Sequence, residues 1–196
     1  MYPILRMAKE FAVHRGAAPL GLFETHVSHH RCWPHDIDLW MELNNGRTLT
    51  LYDLGRLVLF HRTGLVPVMR KHGWAGTVAG SSVRYRRRIR MFDRIEMRSR
   101  LIGWDHRFVY VEQSMWRPQG DCANHILLRT AVTRVPPAAG KGSGKGAVTG
   151  AAAGAGGLVP TAEVARAVGE PVSPPLPGWV GAWIAADDER PWPPAM

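Results

Sequence analysis

The stretch Trp33-Pro34-His35-Asp36-Ile37-Asp38-Leu39-Trp40-Met41-Glu42-Leu43-Asn44-Asn45-Gly46-Arg47 decides how this chain is read. It places three carboxylates and two asparagines in a turn-rich segment that opens onto a long apolar run. Pro34 ends whatever strand precedes it, because it offers no backbone N–H. Asn44 or Asn45 suits an N-cap, since a short side-chain amide oxygen can accept from the unpartnered N–H groups of a first helical turn. Residues 49–60 then read as helix, with Leu49, Tyr52, Leu59 and Phe60 roughly on one stripe and Arg47, Asp53 and Arg56 largely off it. Thr63-Gly64 stops the helix with a glycine able to take the left-handed C′ position. Carboxylates therefore stand just ahead of a helix N-terminus, whose positive end and free amides favour an anion or a developing oxyanion. A base beside an oxyanion site is the arrangement that acyl transfer needs.

Outward from that helix the chain divides into recognisable pieces. Upstream, residues 24–32 read as a strand and residues 1–15 as a short helix with Ile4, Leu5, Ala8, Phe11 and Ala12 on one side. Downstream, residues 66–72 look like a second helical piece. Four strand-like runs follow, at 74–90 with a bend near Gly80, then 94–104, 107–116 and 125–135. One strand, one central helix and four more strands suit an antiparallel sheet wrapped around a helix, an α+β arrangement. At residue 136 the composition changes to a Gly/Ala/Lys run that reads as a flexible linker. Its glycines lack the Gly-Lys-Ser/Thr ending of a phosphate loop. A short helix over 161–167, an extended connector over 171–177 and a helical turn or two over 178–186 complete the tail. Trp179 and Trp183 stand four apart there, placed to dock on the domain. The expected division is an N-terminal helical extension (1–23), a central domain (24–135), a linker (136–159) and a tail (160–196).

The order Asp36-x-Asp38, then Asn44-Asn45 leading a helix, resembles the active-site loop of hotdog-fold acyl-CoA thioesterases, in the branch that groups 4-hydroxybenzoyl-CoA thioesterase with the acyl-carrier-protein thioesterases. Their common form is Asp-x-Asp-x-x-x-His-x-Asn-Asn-x-x-Tyr. Glu42 stands at the His position of this chain and Thr48 at the Tyr position, so two places depart from it. The resemblance covers roughly residues 24–135. It implies the hotdog fold, sites formed between subunits of a homodimer or tetramer, and a thioester of coenzyme A or acyl carrier protein as substrate. It implies no metal and no cofactor.

On the same resemblance Asp38 is the catalytic carboxylate, acting as general base on water or as nucleophile. Asp36 holds the turn. The oxyanion donors are the amides near Asn45 and Gly46, and the side chain of Asn44 or Asn45 could instead orient water. Glu42, four residues from Asp38, is a second candidate base or the mark of a branch that binds the thioester without cleaving it. Taken alone, Asp38 also fits an Asx-turn residue. His106 and Arg107 resemble the basic turn that holds the nucleotide of coenzyme A, with Arg86 and Arg88 as further candidates. The acyl pocket is expected around Tyr52, Leu54, Phe60 and Val78.

Composition bounds the alternatives. The chain has 196 residues, a net charge of +9 and 45% hydrophobic residues, which fits one globular domain with an anionic partner. Two cysteines, Cys32 and Cys122, indicate no disulfide framework and a cytoplasmic setting. No apolar run approaches the roughly 20 residues of a membrane span, and Lys9 and Glu10 interrupt the N-terminal apolar stretch. That N-terminal helix reads as a packing helix rather than a membrane anchor, being short and weakly basic. His26, His29, His30, Cys32 and His35 invite a zinc reading, but strand alternation turns His29 away from His26 and His30, and no second ligand pair follows. Eight arginines fall between Arg84 and Arg100. Period two sets most of them on the outer face of the sheet, with Arg87 the exception. RNA binding would want aromatic platforms beside the charges, and only Tyr85 lies within the run, so nucleic acid is not the expected partner.

Overall fold

The computed structural model describes residues 2–135 and 157–194. Among the described residues the α-helices and β-strands follow in the order α1 (Ile4–Val13), β1 (His26–Arg31), α2 (Asn45–Arg62), α3 (Leu65–Lys71), β2 (Trp74–Tyr85), β3 (Arg94–Trp104), β4 (Phe108–Trp116), β5 (Cys122–Arg134), α4 (Thr161–Val168) and α5 (Gly178–Asp188). The strands form one antiparallel sheet in the order β1-β3-β4-β5-β2. This is the α+β hotdog arrangement that the resemblance implied.

The sheet curls around α2. Leu51, Tyr52, Leu54 and Leu59 of that helix are fully buried against Ile95, Met97, Val111, Met115 and Ile126 of the sheet. The closest approach is at Gly55, where an added Cβ would lie 2.7 Å from Ser99 Oγ and 2.8 Å from Met97 Sδ. Only a residue without a side chain lets the helix sit so low on β3. Leu49, expected on the buried stripe, is instead exposed, while its neighbours Thr48 and Leu51 are buried. Gly64 (φ +76°) ends this helix and caps the next.

The expected bend in β2 is a bulge: the register shifts between Val78 and Gly80. The extra residue keeps the inward set in phase, since a one-residue slip would otherwise turn every later side chain to the other face. Trp74 before the bulge and Val83 after it both pack inward. The strand ends at Tyr85, so Arg86, Arg87, Arg88 and Arg90 lie on a loop rather than alternating along a strand. The amides of Arg86 and Arg87 both donate to Ala123 O, which ties that loop to β5.

The tail docks. Val180 of α5 is fully buried on the outer face of the sheet with Tyr110 and Leu127, and Trp183 packs beside them. Arg129 pairs with Asp187 and lies over the rings of Phe108 and Trp183. Trp179 stays partly exposed against His125. Most of the linker lies outside the described residues. Among the described residues, no helix is long and apolar enough to cross a membrane.

Beneath α1 is a small polar core. Glu10, His26, Ser28 and His30 are buried there. His30 Nε2 bonds Ser28 Oγ at 2.8 Å, and its other nitrogen is 3.6 Å from Glu10. His26 bonds Arg62 at 3.1 Å and meets the His14 ring edge-on. Burial lowers the pKa of both imidazoles, to about 4 for His26 and about 3 for His30, with His14 and Arg62 adding to the first shift and Arg6 and Lys9 to the second. Both imidazoles are held by neighbouring side chains, His30 by Ser28 and His26 by Arg62. Among the described residues, no group of three or more His, Cys, Asp or Glu is placed to hold a metal ion.

Candidate functional site

The loop ahead of α2 begins with a 3-10 turn, Pro34–Asp36. The Asp36 carboxylate is fully buried and saturated. It accepts from the Trp33 amide at 3.0 Å, from Arg6 at 2.7 Å and from Arg47 at 3.1 and 2.8 Å. Burial alone would raise its pKa. The hydrogen bonds from the Trp33 amide, Arg47 and Arg6, with the Arg6 charge, hold it below the usual carboxylate range. Asp36 therefore fixes the turn and clamps α1 and α2 to it.

A tight hairpin follows, closed by the Ile37–Leu43 bridge. The Asp38 amide donates to Glu42 O at 2.9 Å, and one Asp38 carboxylate oxygen accepts from the Trp40 amide at 2.9 Å. Within one chain Asp38 is an Asx-type turn residue. Leu39, Trp40 and Met41 form the exposed tip, and Met41 takes a left-handed φ of +59°.

Asn44 is the N-cap of α2. Its side chain accepts from Arg47 N at 3.1 Å, and its carbonyl accepts from Thr48 N at 2.8 Å. The first turn of a helix has no intrahelical acceptors for its amides, so those of Asn45 and Gly46 remain as outward donors. Asn45 lines a cavity of about 230 Å³ whose walls also include Glu42, Thr48, Tyr85, Arg86 and Arg88. Arg88 reaches Glu42 at 3.0 Å across its mouth. Asn124 closes the floor, and the Tyr52 hydroxyl donates to its side-chain oxygen.

Of the residues expected from the resemblance, Glu42, Asn45, Arg86 and Arg88 thus meet around one cavity, whereas Asn44 and Gly46 flank Asn45 in the chain without lining it. Asp38 is held in the turn behind them. His106 and Arg107 are not brought there. They are exposed in the β3–β4 turn, whose end of β4 pairs with Ala131, whereas Asn124 pairs with Met115 near the other end. Nine residues of extended strand, about 27 Å, separate the two ends. The expected acyl pocket divides as well. Tyr52 and Leu54 are sealed in the core, while Phe60 and Val78 line a separate apolar cavity of about 410 Å³ beside the second half of α2. Asn124 was not anticipated. Its only signal in the sequence is a polar residue at the head of an apolar strand.

Residues 32–184 match the Thioesterase-like superfamily, and the chain belongs to it. Among its relatives is Protein THEM6 of Xenopus laevis, 37% identical over 95 residues, which are 48% of this chain and 46% of that protein. Protein THEM6 of Drosophila melanogaster is 35% identical over 83 residues, 42% and 43% of the two chains. The match spans less than half the length of either relative. Among solved structures, YbaW from Escherichia coli has a TM-score of 0.59 at 15% identity, covering 75% of this chain and 98% of that one. DHNA-CoA thioesterase from Staphylococcus aureus has a TM-score of 0.58 at 11% identity, covering 88% and 99%. At these identities the likeness is one of fold.

Proposed function

We propose that this protein hydrolyses an acyl-CoA thioester to a free acid and coenzyme A. The observation that carries the reading is Glu42 on the wall of the same small cavity as the Asn45 end of α2. A thioester carbonyl placed there would direct its oxygen at the free amides of Asn45 and Gly46, where the helix end stabilises developing negative charge. Glu42 takes a proton from an attacking water as the C–O bond forms. The tetrahedral intermediate then expels the thiolate, which receives that proton, leaving acid and thiol. Geometry within one chain favours Glu42 over Asp38, whose carboxylate already serves the turn. Arg86 and Arg88 give the mouth a positive potential that suits an anionic substrate.

The acyl chain would occupy the 410 Å³ cavity lined by Phe60, Leu65, Met69, Val78, Val109 and Val132. It begins at Asp53, about 12 Å along α2 from Asn45. Thioesterases of known structure with this fold, such as DHNA-CoA thioesterase, support a coenzyme A ester. A homodimer is part of the proposal: among the described residues, β2 is a 12-residue edge strand paired on one side only, and a second copy would cover it. So is a cytoplasmic setting, which the two free cysteines suit.

The test is a thiol-release screen over short, long and aromatic acyl-CoA esters, with light scattering for assembly. Release that Glu42→Gln abolishes supports the reading. The Arg88–Glu42 ion pair favours one other reading, a protein that binds the thioester without cleaving it. Tight binding with no thiol released from any ester would put that in place of the enzyme.

A further inference from the structure

A larger groove, of about 810 Å³, lies on the other side of the loop, over the β1 edge of the sheet. Among its walls are Arg31, Arg94, Arg98, Arg117, Trp33 and Trp116. Most of its charges are already answered. Arg98 lies over the Trp116 ring at 4.4 Å and bonds Glu96 at 2.7 Å, and Arg117 bonds Asp121 at 2.6 Å.

Arg31 and Arg94 are different. They stand directly opposite one another in the β1–β3 register, so they share a face of the sheet, and both are exposed. Among the described residues, neither has a carboxylate partner. Like charges placed directly across an antiparallel pair destabilise it. An anion seated between them would convert that repulsion into two charge-assisted contacts. Trp33, two residues beyond Arg31, is 42% exposed and lines the same groove, its ring perpendicular to that of Phe92. It offers the aromatic platform that the arginine run itself lacks.

We infer that this groove binds an adenosine phosphate of the kind coenzyme A carries, with a phosphate between Arg31 and Arg94 and the base against Trp33. The volume is that of a small-molecule site. Glu10 and Glu96 stand in the same walls, which opposes a polyanionic strand. The groove also connects to the proposed reaction site. Trp33 opens the turn that leads to Glu42, and the Arg117 guanidinium reaches the carbonyl of Arg88. The inference deepens the thioesterase reading: a nucleotide-bearing carrier means coenzyme A rather than a carrier protein, and the nucleotide is read at Arg31 and Arg94 rather than at Arg107.

The experiment titrates the full chain with adenosine 3′,5′-bisphosphate, followed by calorimetry and tryptophan fluorescence. Arg31→Ala and Arg94→Ala should each weaken binding about tenfold or more, and Trp33→Leu should remove the fluorescence change. Without ligand, both arginine variants should melt no lower than wild type, because each removes a repulsion. Affinities within twofold of wild type in both arginine variants would overturn the inference. So would a 20-nucleotide RNA that binds more tightly than the bisphosphate and whose affinity falls steeply with salt. Free nucleotide and carrier separate in a further arm: coenzyme A should compete at least as well as the bisphosphate, and much weaker competition would overturn the carrier assignment. The two proposals also fail separately. Bisphosphate binding through these arginines without any hydrolysis would remove only the enzyme reading. Hydrolysis whose KM neither arginine variant changes would remove only the groove.

Discussion

The two halves of the loop ahead of α2 have opposite characters. In the first, Asp36 has no exposed surface and answers two arginines and a backbone amide. In the second, Leu39 is 90% exposed and Trp40 68%, and Glu42 reaches a cavity held by a single surface ion pair. The difference separates anchoring from chemistry. A carboxylate whose lone pairs are filled by guanidinium and amide donors has none left for a proton from water. Once that half is fixed to α1 and α2, the other half can present a carboxylate beside a helix end with almost no packing of its own.

The largest expected effect tests which carboxylate does chemistry. Glu42→Gln keeps shape and removes the base, and turnover should fall by about 10²- to 10⁴-fold with little change in binding. Asp38→Asn should cost much less, because an amide oxygen can still accept from the Trp40 amide. The reverse ranking would return the catalytic role to Asp38 and would imply a site completed by a second subunit. Steady-state kinetics on both variants decides it.

Asp36→Asn tests the anchored half. It leaves Arg6 and Arg47 facing an amide, and removal of one partner from a buried ion pair costs about 3 kcal/mol or more. For a chain of this size that is roughly a 6–12 °C fall in melting temperature. A variant that melted normally but lost turnover would show that Asp36 acts in the reaction rather than in holding the loop.

Much of this architecture was legible because it is written in local signals. The asparagine cap, Gly64, the bend near Gly80 and the alternation of β3 each follow from a few adjacent residues. What was not legible depends on residues distant in sequence. Arg6 reaches Asp36 across thirty positions, and Asn124 meets Tyr52 across 72. Arg86 to Arg90 alternate like a strand, yet the ladder stops at Tyr85 and the loop folds back on Ala123. His106 and Arg107 resembled a nucleotide-binding turn by their order alone, and order carries no information about which end of the sheet a turn occupies. Trp33 and Trp116 lie 83 positions apart in the chain and share a groove only because β1, β3 and β4 are neighbours.

A smaller effect concerns pH, and it comes from the polar core under α1 rather than from the loop. The folded imidazoles of His26 and His30 protonate only near pH 4 and pH 3, whereas unfolded imidazole protonates near 6.5. Between these values the unfolded chain holds more protons, so stability is complete above about pH 6.5 and falls as the pH drops towards 3–4. At pH 6 the expected loss is about 1 kcal/mol per histidine. Glu112, whose carboxyl His125 and Arg100 hold at about 2, adds a second loss between its ordinary 4.5 and that value. Melting curves from pH 8 to 3 should therefore bend twice. A His26→Gln, His30→Gln double variant should lose the upper bend and keep the lower, and an upper bend that survived would assign it to other groups.

The smallest expected effect is at the tip. Met41 holds φ at +59°, which costs a residue with a side chain about 1 kcal/mol relative to glycine. Met41→Gly would relieve that cost and would also enlarge the freedom of the unfolded chain by a similar amount. The two terms oppose, so stability should change by no more than about 0.5 kcal/mol. If the exposed tip serves only to present Glu42, turnover should stay within about twofold of wild type, since the Asp38–Glu42 backbone hydrogen bond and the Ile37–Leu43 bridge remain. A tenfold loss of turnover at unchanged melting temperature would break the comparison. It would mean that the Met41 side chain itself meets substrate or a second subunit, and that the exposed half of the loop is a contact surface as well as a support for the base.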